Sequence, residues 1–267
     1  MMAFRLLTAT DLHSRPEYFI ALEEAVRRHK PHAVALVGDF LDGLPSSRGL
    51  LSPSEVALML GRLDTDRLLI VRGNHEHDNW LGFRQAWNSR RPVLEPLHAI
   101  ATAAGSMACV GFPCLMGDET AFVSTLMAGG DARPGLADLE FSSRPELWFT
   151  KDFGGSTNPR NQIWLMHEPP TGTPLTRSSG LVVGNGLWER LVRHHQPRLV
   201  IGGHDHTTPS RVRQWHAALG RTTVVNLGQS DSGPFHHLLV NVTSDQAGAT
   251  TVHLTAYPWH QELVLKD

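Results

Sequence analysis

Apolar residues fall along this chain in short runs that switch between two periods. Phe4 to Ala9 is an apolar-rich run of strand length that stops at Asp11-Leu12-His13, and it reads as a buried strand feeding a loop. From Glu17 to Lys30 the positions Phe19, Leu22, Ala25 and Val26 recur at helical spacing. Arg27, Arg28, His29 and Lys30 close that segment, where cations suit the helix dipole. His32 to Val37 is a second strand, broken at Gly38-Asp39. Ser52-Pro53-Ser54-Glu55 supplies an N-cap, a proline at the first helical position and an acid two residues on, predicting a helix to about Leu63. Leu68 to Val71 repeats the strand pattern and breaks at Gly73-Asn74-His75. Strand, helix, strand, helix, strand predicts an α/β fold with a mainly parallel sheet.

Farther along, His98 to Thr102 and Met107 to Gly111 read as a hairpin. Residues 115–160, rich in Gly, Pro, Asp and Ser and carrying Trp148 and Phe149, are expected to form an irregular insertion or lid. Ile163 to Met166 is again a strand and stops at His167. A helix from about Leu187 to His195 leads to a strand at Leu199 to Ile201, which ends at Gly202-Gly203-His204-Asp205-His206. Thr223 to Leu227, His237 to Val242 and Thr250 to Ala256 read as closing antiparallel strands. With no repeat, linker or low-complexity tract, residues 1–267 are expected to form a single domain.

Composition narrows the possibilities. A chain that is 41% hydrophobic and 19% charged can bury a core and lacks the profile of a disordered segment. Its 24 basic and 26 acidic side chains leave a net charge of −2, so no global field favours duplex nucleic acid or anionic membranes. The N-terminal residues lack the pattern of a signal peptide, and no apolar run approaches the roughly 18 residues of a membrane span. A cytoplasmic location is expected. Cys109 and Cys114 have no CxxC spacing, which argues against a disulfide scaffold or a thiolate zinc site.

Histidine is the outlier, with 16 copies, and its placement matters more than its number. Five strand ends carry polar clusters: Asp11 with His13, Asp39 with Asp42, Asn74 with His75, His167, and His204 with His206. In open α/β sheets such ends share one crevice. Residues two apart at a strand end project to the same side, so Asp11 and His13, or His204 and His206, can reach one point. Carboxylates, neutral imidazoles and an amide oxygen are donors that borderline divalent metals accept. His32, His98, His194, His195, His216, His236, His237, His253 and His260 fall outside this pattern and read as surface or satisfied buried residues. Glu76 reads as a partner for loop backbone. Arg15 and Arg72 read as structural, whereas Arg177, after the His167 turn, is the arginine chosen to meet phosphate oxygens.

The order Asp11-Leu12-His13, Gly38-Asp39-Phe40-Leu41-Asp42, Gly73-Asn74-His75-Glu76, His167, and Gly203-His204-Asp205-His206 resembles the calcineurin-like metallophosphoesterase family, from residue 4 to about 230. The His167-Glu168-Pro169-Pro170 run and the Asn226-Leu227-Gly228 turn are also similar. The resemblance implies a four-layer α-β-β-α sandwich of two mixed sheets flanked by helices, holding two divalent or mixed-valence ions such as manganese, iron or zinc. It places Asp11, His13, Asp39 and His206 around one ion and Asn74, His167 and His204 around the other, with Asp39 bridging. A hydroxide shared by the two ions would attack phosphorus. His75 matches the family histidine that contacts phosphate or protonates the leaving oxygen, Asp42 the acid that orients it, and Asn74 also faces substrate. The second motif continues into Gly43, without the arginine that follows in Ser/Thr protein phosphatases. That disfavours a dedicated protein phosphatase; the expected activity is hydrolysis of a small phosphate ester, with a phosphodiesterase favoured. A broad phosphomonoesterase, protein phosphatase activity included, is the alternative, and a metal-free interaction scaffold of the same fold is the reading from another class.

Overall fold

The N-terminal apolar runs form three parallel strands, β1 (Met2–Ala9), β2 (Ala33–Val37) and β3 (Arg67–Val71), joined by helices α1 (Pro16–His29) and α2 (Pro53–Gly61). The structure, a computed structural model, describes residues 2–42, 49–65, 67–87, 100–101, 107–112, 158–178, 181–212, 214–229, 233–246 and 249–266. Helix α2 starts with the expected reciprocal cap. Ser52 Oγ accepts the Glu55 N–H at 3.3 Å, and Glu55 Oε2 accepts the Ser52 N–H at 2.7 Å. Helix α1 ends at Lys30, whose left-handed backbone (φ 45°) lets its N–H reach the Val26 carbonyl.

Among the described residues these strands belong to one of two six-stranded sheets. The first has the order β14-β13-β12-β1-β2-β3, in which β12 (His237–Ser244), β13 (Thr250–Tyr257) and β14 (Gln261–Leu265) run antiparallel. The second contains β4 (Ile100–Ala101), β5 (Ala108–Phe112), β6 (Gln162–Met166), β9 (Leu199–Gly202), β10 (His216–Leu219) and β11 (Thr222–Asn226). Both sheets are mixed: β5, β6, β9 and β11 are parallel, and β4 and β10 run antiparallel to them at the edges. Strands β7 (Arg177–Ser178) and β8 (Leu181–Val182) pair separately. Helices α3 (Glu76–Ala86), α4 (Gly186–His195) and α5 (Thr207–Val212) complete the elements used below.

One expectation needs correcting. Strand β11 is a parallel neighbour of β9 rather than a closing antiparallel strand, and its antiparallel partner is β10, reached through Gly220 at φ 65°. An apolar run such as Thr222–Asn226 signals burial on both faces, which any central strand satisfies in either direction. The expected hairpin is present where described, as Ile100 and Ala101 pair with Cys109 and Ala108. Of the stretch 115–160, Trp148 and Phe149 lie outside the described residues, while Pro159–Asn161 form a single 3₁₀ turn leading into β6.

The core explains why the strands read as continuous apolar runs. Phe4, Leu6, Ala35 and Val37 face Ile163, Leu165, Leu199, Ile201 and Val225 between the sheets. The alternate positions Leu7, Ala9, Val34 and Leu36 meet Phe19, Leu22 and Val26 of α1 and Val56 and Leu60 of α2. On the far side of the second sheet, Trp164 packs against His195 of α4, ring centroids 5.8 Å apart. The layering is therefore helix, sheet, sheet, helix. At the amino ends of β6 and β9 the buried Arg198 ties the sheets together. Its Nε donates to the Arg160 carbonyl at 2.8 Å and Nη1 to the Thr250 carbonyl, at the start of β13, at 2.7 Å.

Candidate metal centre

The loops at the carboxyl ends of β1, β2, β3, β6 and β9 meet across the gap between the sheets. Their backbones are unusual for side-chain-bearing residues. Asp11 (φ 56°), His13 (46°), Ser14 (54°), Asp39 (50°) and His204 (68°) are all left-handed. Asp and His tolerate that region better than most residues, and such outliers gather where surrounding structure over-determines them. Here the Asp11, His13 and Ser14 N–H groups donate to the Gly38, Asp39 and Phe40 carbonyls at 3.0, 2.9 and 3.0 Å, and the Gly203 N–H donates to His167 at 3.0 Å. The motif glycines provide room. A Cβ on Gly38 would strike the His167 ring, one on Gly73 the Asp39 carboxylate, and one on Gly203 the Thr10 and Asp11 side chains.

Seven side chains converge. Asp11 Oδ1 lies 3.1 Å from His206 Nε2, which is 3.2 Å from His13 Nε2. Asp39 Oδ2 lies 3.1 Å from His167 Nε2. Asn74 Oδ1 is 3.1 Å from both His167 Nε2 and His204 Nδ1. Asp11, His13 and His206 form one group with donor atoms within 4.8 Å of each other, and Asp39, His167 and His204 form a second. A third group of the same tightness, His13, Asp39 and His75, links them. Asp39 thus reaches both halves.

This inventory fits a pair of cations. Two carboxylates are buried with imidazoles as their nearest counter-charges, and buried carboxylates need cationic partners or metals. Burial works to raise Asp11 and Asp39, yet the imidazoles of His206 and His167 respectively hold both below the usual carboxylate range. Burial pushes His13 and His204 down, toward the neutral form that ligates. His167 goes the other way. Its burial opposes charge, but the Asp39 carboxylate overrides this and lifts it to about 10. Positive charge is what this cage demands. The His167 Nδ1 lies 2.9 Å from the Val37 carbonyl, fixing the ring so that Nε2 faces Asp39 and Asn74.

His75 occupies the open side. Its side chain is 39% exposed, with Nδ1 3.6 Å from Asp42 Oδ1 and Nε2 3.9 Å from Asp39 Oδ2. Its backbone N–H donates to Asp39 Oδ1 at 2.8 Å, and its ring meets the His13 ring edge-on at 4.7 Å. Glu76 is fully buried and bonds loop backbone, accepting from Asp39, Leu41 and Gly73 at 2.9, 2.8 and 2.5 Å. Burial and then the Asp39 charge push its carboxyl up to about 8.

The arginines read from the sequence have these contacts among the described residues. Arg15 Nη1 lies 3.6 Å from Glu17, and the Arg72 guanidinium stacks 5.3 Å from the Trp80 ring. Arg177 is in β7, and its side chain lies outside the described residues. The sequence reading missed two supports. The Thr10 hydroxyl sits 2.9 Å from Asp11 Oδ2 and 2.8 Å from the Val37 carbonyl. Asp205 caps α5, accepting from the Thr207 and Thr208 N–H groups at 2.9 and 3.2 Å and from the Thr208 hydroxyl at 2.6 Å. An Asp two residues ahead of a helix's first N–H groups is a cap signature in its own right, concealed here by its place as the spacer between two histidines.

Comparison with known proteins places these features in context. The sequence model of the calcineurin-like phosphoesterases matches residues 4–208. A search of curated protein sequences returns no match. Among solved structures, a dimetal phosphatase from Danio rerio superposes with a TM-score of 0.60 at 14% identity, covering 98% of each chain. TT1561 of Thermus thermophilus gives 0.57 at 15% identity and 99% of each chain. GAP50, described as the anchor in the inner membrane complex of Plasmodium, gives 0.55 at 11% identity, covering all of this chain and 89% of its own. At these identities the structural likeness speaks for the fold alone.

Proposed function

Because the chain belongs to the calcineurin-like phosphoesterase family, a family of metal-dependent phosphoester hydrolases, we propose that it hydrolyses a small phosphodiester at a two-metal centre held by the seven converging side chains. The observation that carries this reading is Asp39, whose carboxylate lies within reach of both donor groups. Asp11, His13, Asp39 and His206 would hold one cation, and Asp39, Asn74, His167 and His204 the other. Such a pair supplies the Lewis acidity that activates water and takes up charge on the phosphoryl oxygens.

The chain's own residues do the rest. Asn74, fixed against His167 and His204, presents an amide at the edge of the cage where a phosphoryl group would lie. His75 faces the opening and serves the leaving oxygen, by proton transfer or by stabilising its charge, while Asp42 keeps Nδ1 engaged and Nε2 aimed inward. Arg177 is the candidate for a further phosphate contact. A diester carries one negative charge and asks for less than the dianion of a monoester, in keeping with the glycine that follows Asp42.

The test is turnover of bis-p-nitrophenyl phosphate against p-nitrophenyl phosphate, with manganese, iron, zinc and magnesium supplied in turn. Faster diester hydrolysis is expected. Faster monoester hydrolysis would instead make the protein a phosphomonoesterase, and absence of both turnover and bound metal would make it a scaffold. His75→Ala should lower kcat by about 10²–10⁴-fold, the usual worth of a positioned proton donor, with metal content unchanged. Loss of metal in that variant would reassign His75 as a ligand.

A further inference from the structure

We infer that Ser14 and Asn79 are positioning residues that clamp the Asp42 peptide from two sides and so hold the Asp42 carboxylate against His75. This rests on the phosphoesterase reading, in which His75 faces the leaving group. The Asp42 N–H donates to Ser14 Oγ at 3.0 Å, and the Asp42 carbonyl accepts from Asn79 Nδ2 at 2.5 Å. The two arms come from different parts of the fold. Ser14 stands in the left-handed turn that closes the β1 loop, where its N–H reaches Phe40 at 3.0 Å and its carbonyl takes the Leu51 N–H at 2.8 Å. Asn79 lies in the first turn of α3, four residues beyond His75 and therefore on the same helical face.

The geometry ties three motif loops to one imidazole. Asp42 Oδ1 lies 3.6 Å from His75 Nδ1, a spacing that the rigidity of the clamp preserves and that leaves Nε2 pointing toward Asp39. A carboxylate free to swing would leave the ring to rotate, and a misaimed proton donor costs rate without costing affinity. Among the described residues, the side-chain hydrogen bonds of Asn79 and Ser14 both go to the Asp42 backbone rather than to a cage residue, so their effect runs through Asp42.

The experiment uses the metal-loaded protein and two diesters that differ in their leaving group, methyl p-nitrophenyl phosphate and methyl phenyl phosphate. Asn79→Leu should keep its metal content and KM, lower kcat by about tenfold for the p-nitrophenyl ester, and lower it further for the phenyl ester, whose poorer leaving group relies more on His75. Ser14→Ala, a smaller change in the other arm, should show the same leaving-group bias. In Asp42→Asn the Asn79→Leu change should add little, because both interrupt one path. A kcat loss equal for both esters, full additivity with Asp42→Asn, or loss of metal would overturn the inference. Wild-type protein inactive on every ester would sink the phosphoesterase reading instead. The clamp is then judged in metal-free protein by amide exchange at Asp42: at least tenfold faster exchange in Asn79→Leu supports it, and unchanged protection refutes it.

Discussion

Glu76 is a carboxylate whose work is done entirely on backbone. It gathers three N–H groups from the β2 and β3 loops, one of them that of Asp39. Removing it leaves those donors unpaired in a dry interior, at about 1–3 kcal/mol each. Glu76→Ala is expected to lower Tm by at least about 6 °C in calorimetry and to reduce bound metal, since the main chain of Asp39 loses its anchor. Glu76→Gln keeps an oxygen able to accept two of the three bonds and should lose roughly half as much. His237 makes the opposite case. It is buried between Tyr257 and Phe235, with ring centroids at 4.6 and 5.1 Å, and neither ring nitrogen has a well-aligned partner among the described residues. Burial pushes its pKa down to about 3. The unfolded chain takes up a proton below about 6.5 that the folded protein refuses, so stability falls as pH drops from there toward 3, by at most about 1.4 kcal/mol per unit. His237→Phe keeps the stack and removes the titration. The stability difference between it and wild type should be constant above pH 7 and move steadily in favour of the variant below pH 6.

At the scale of elements, the motifs are compact: glycines in them leave the space into which another loop's candidate ligand fits. Gly203 has no unusual backbone angle, yet a Cβ there would meet the Asp11 carboxylate. Gly203→Ala should therefore fold but bind metal at least tenfold more weakly, as read by calorimetric titration; wild-type affinity would show that the two loops have slack. The strands that carry ligands were legible in the sequence, since a buried strand ending in polar residues leaves a sharp boundary, as at Val37-Gly38 and Val71-Arg72-Gly73. Other elements were not. Helix α3 is only moderately amphipathic, carries Gly82, and starts inside the Gly73-Asn74-His75-Glu76 motif, whose polar residues break the apolar pattern of a helix start. Strand β14 is largely solvent-facing and so lacks the apolar run that marks the buried strands. The direction of β11 depends on which neighbour it pairs with, a long-range choice absent from its own residues.

At the scale of the molecule, the cage straddles the interface between sheets: Asp11, His13, Asp39 and Asn74 follow strands of one, His167, His204 and His206 strands of the other. Cations held there would join elements that otherwise meet through apolar packing and a few hydrogen bonds, so metal should bind the folded state far better than the unfolded one. At a hundred times its dissociation constant, metal should add about 2.7 kcal/mol. For a chain of this size that is roughly 5–10 °C in Tm, and a chelator should remove it. An unchanged Tm on chelation would mean that no cation joins the two sheets. The same construction gives the apolar layer a second job. Ile163, Leu165, Val37 and Leu6 act as the spacer of a calliper whose jaws are the two rows of ligands. The thickness of that layer gauges the gap between the jaws, so on the two-metal reading a methylene added or shaved deep in the layer should change which ions fit, without altering any candidate ligand.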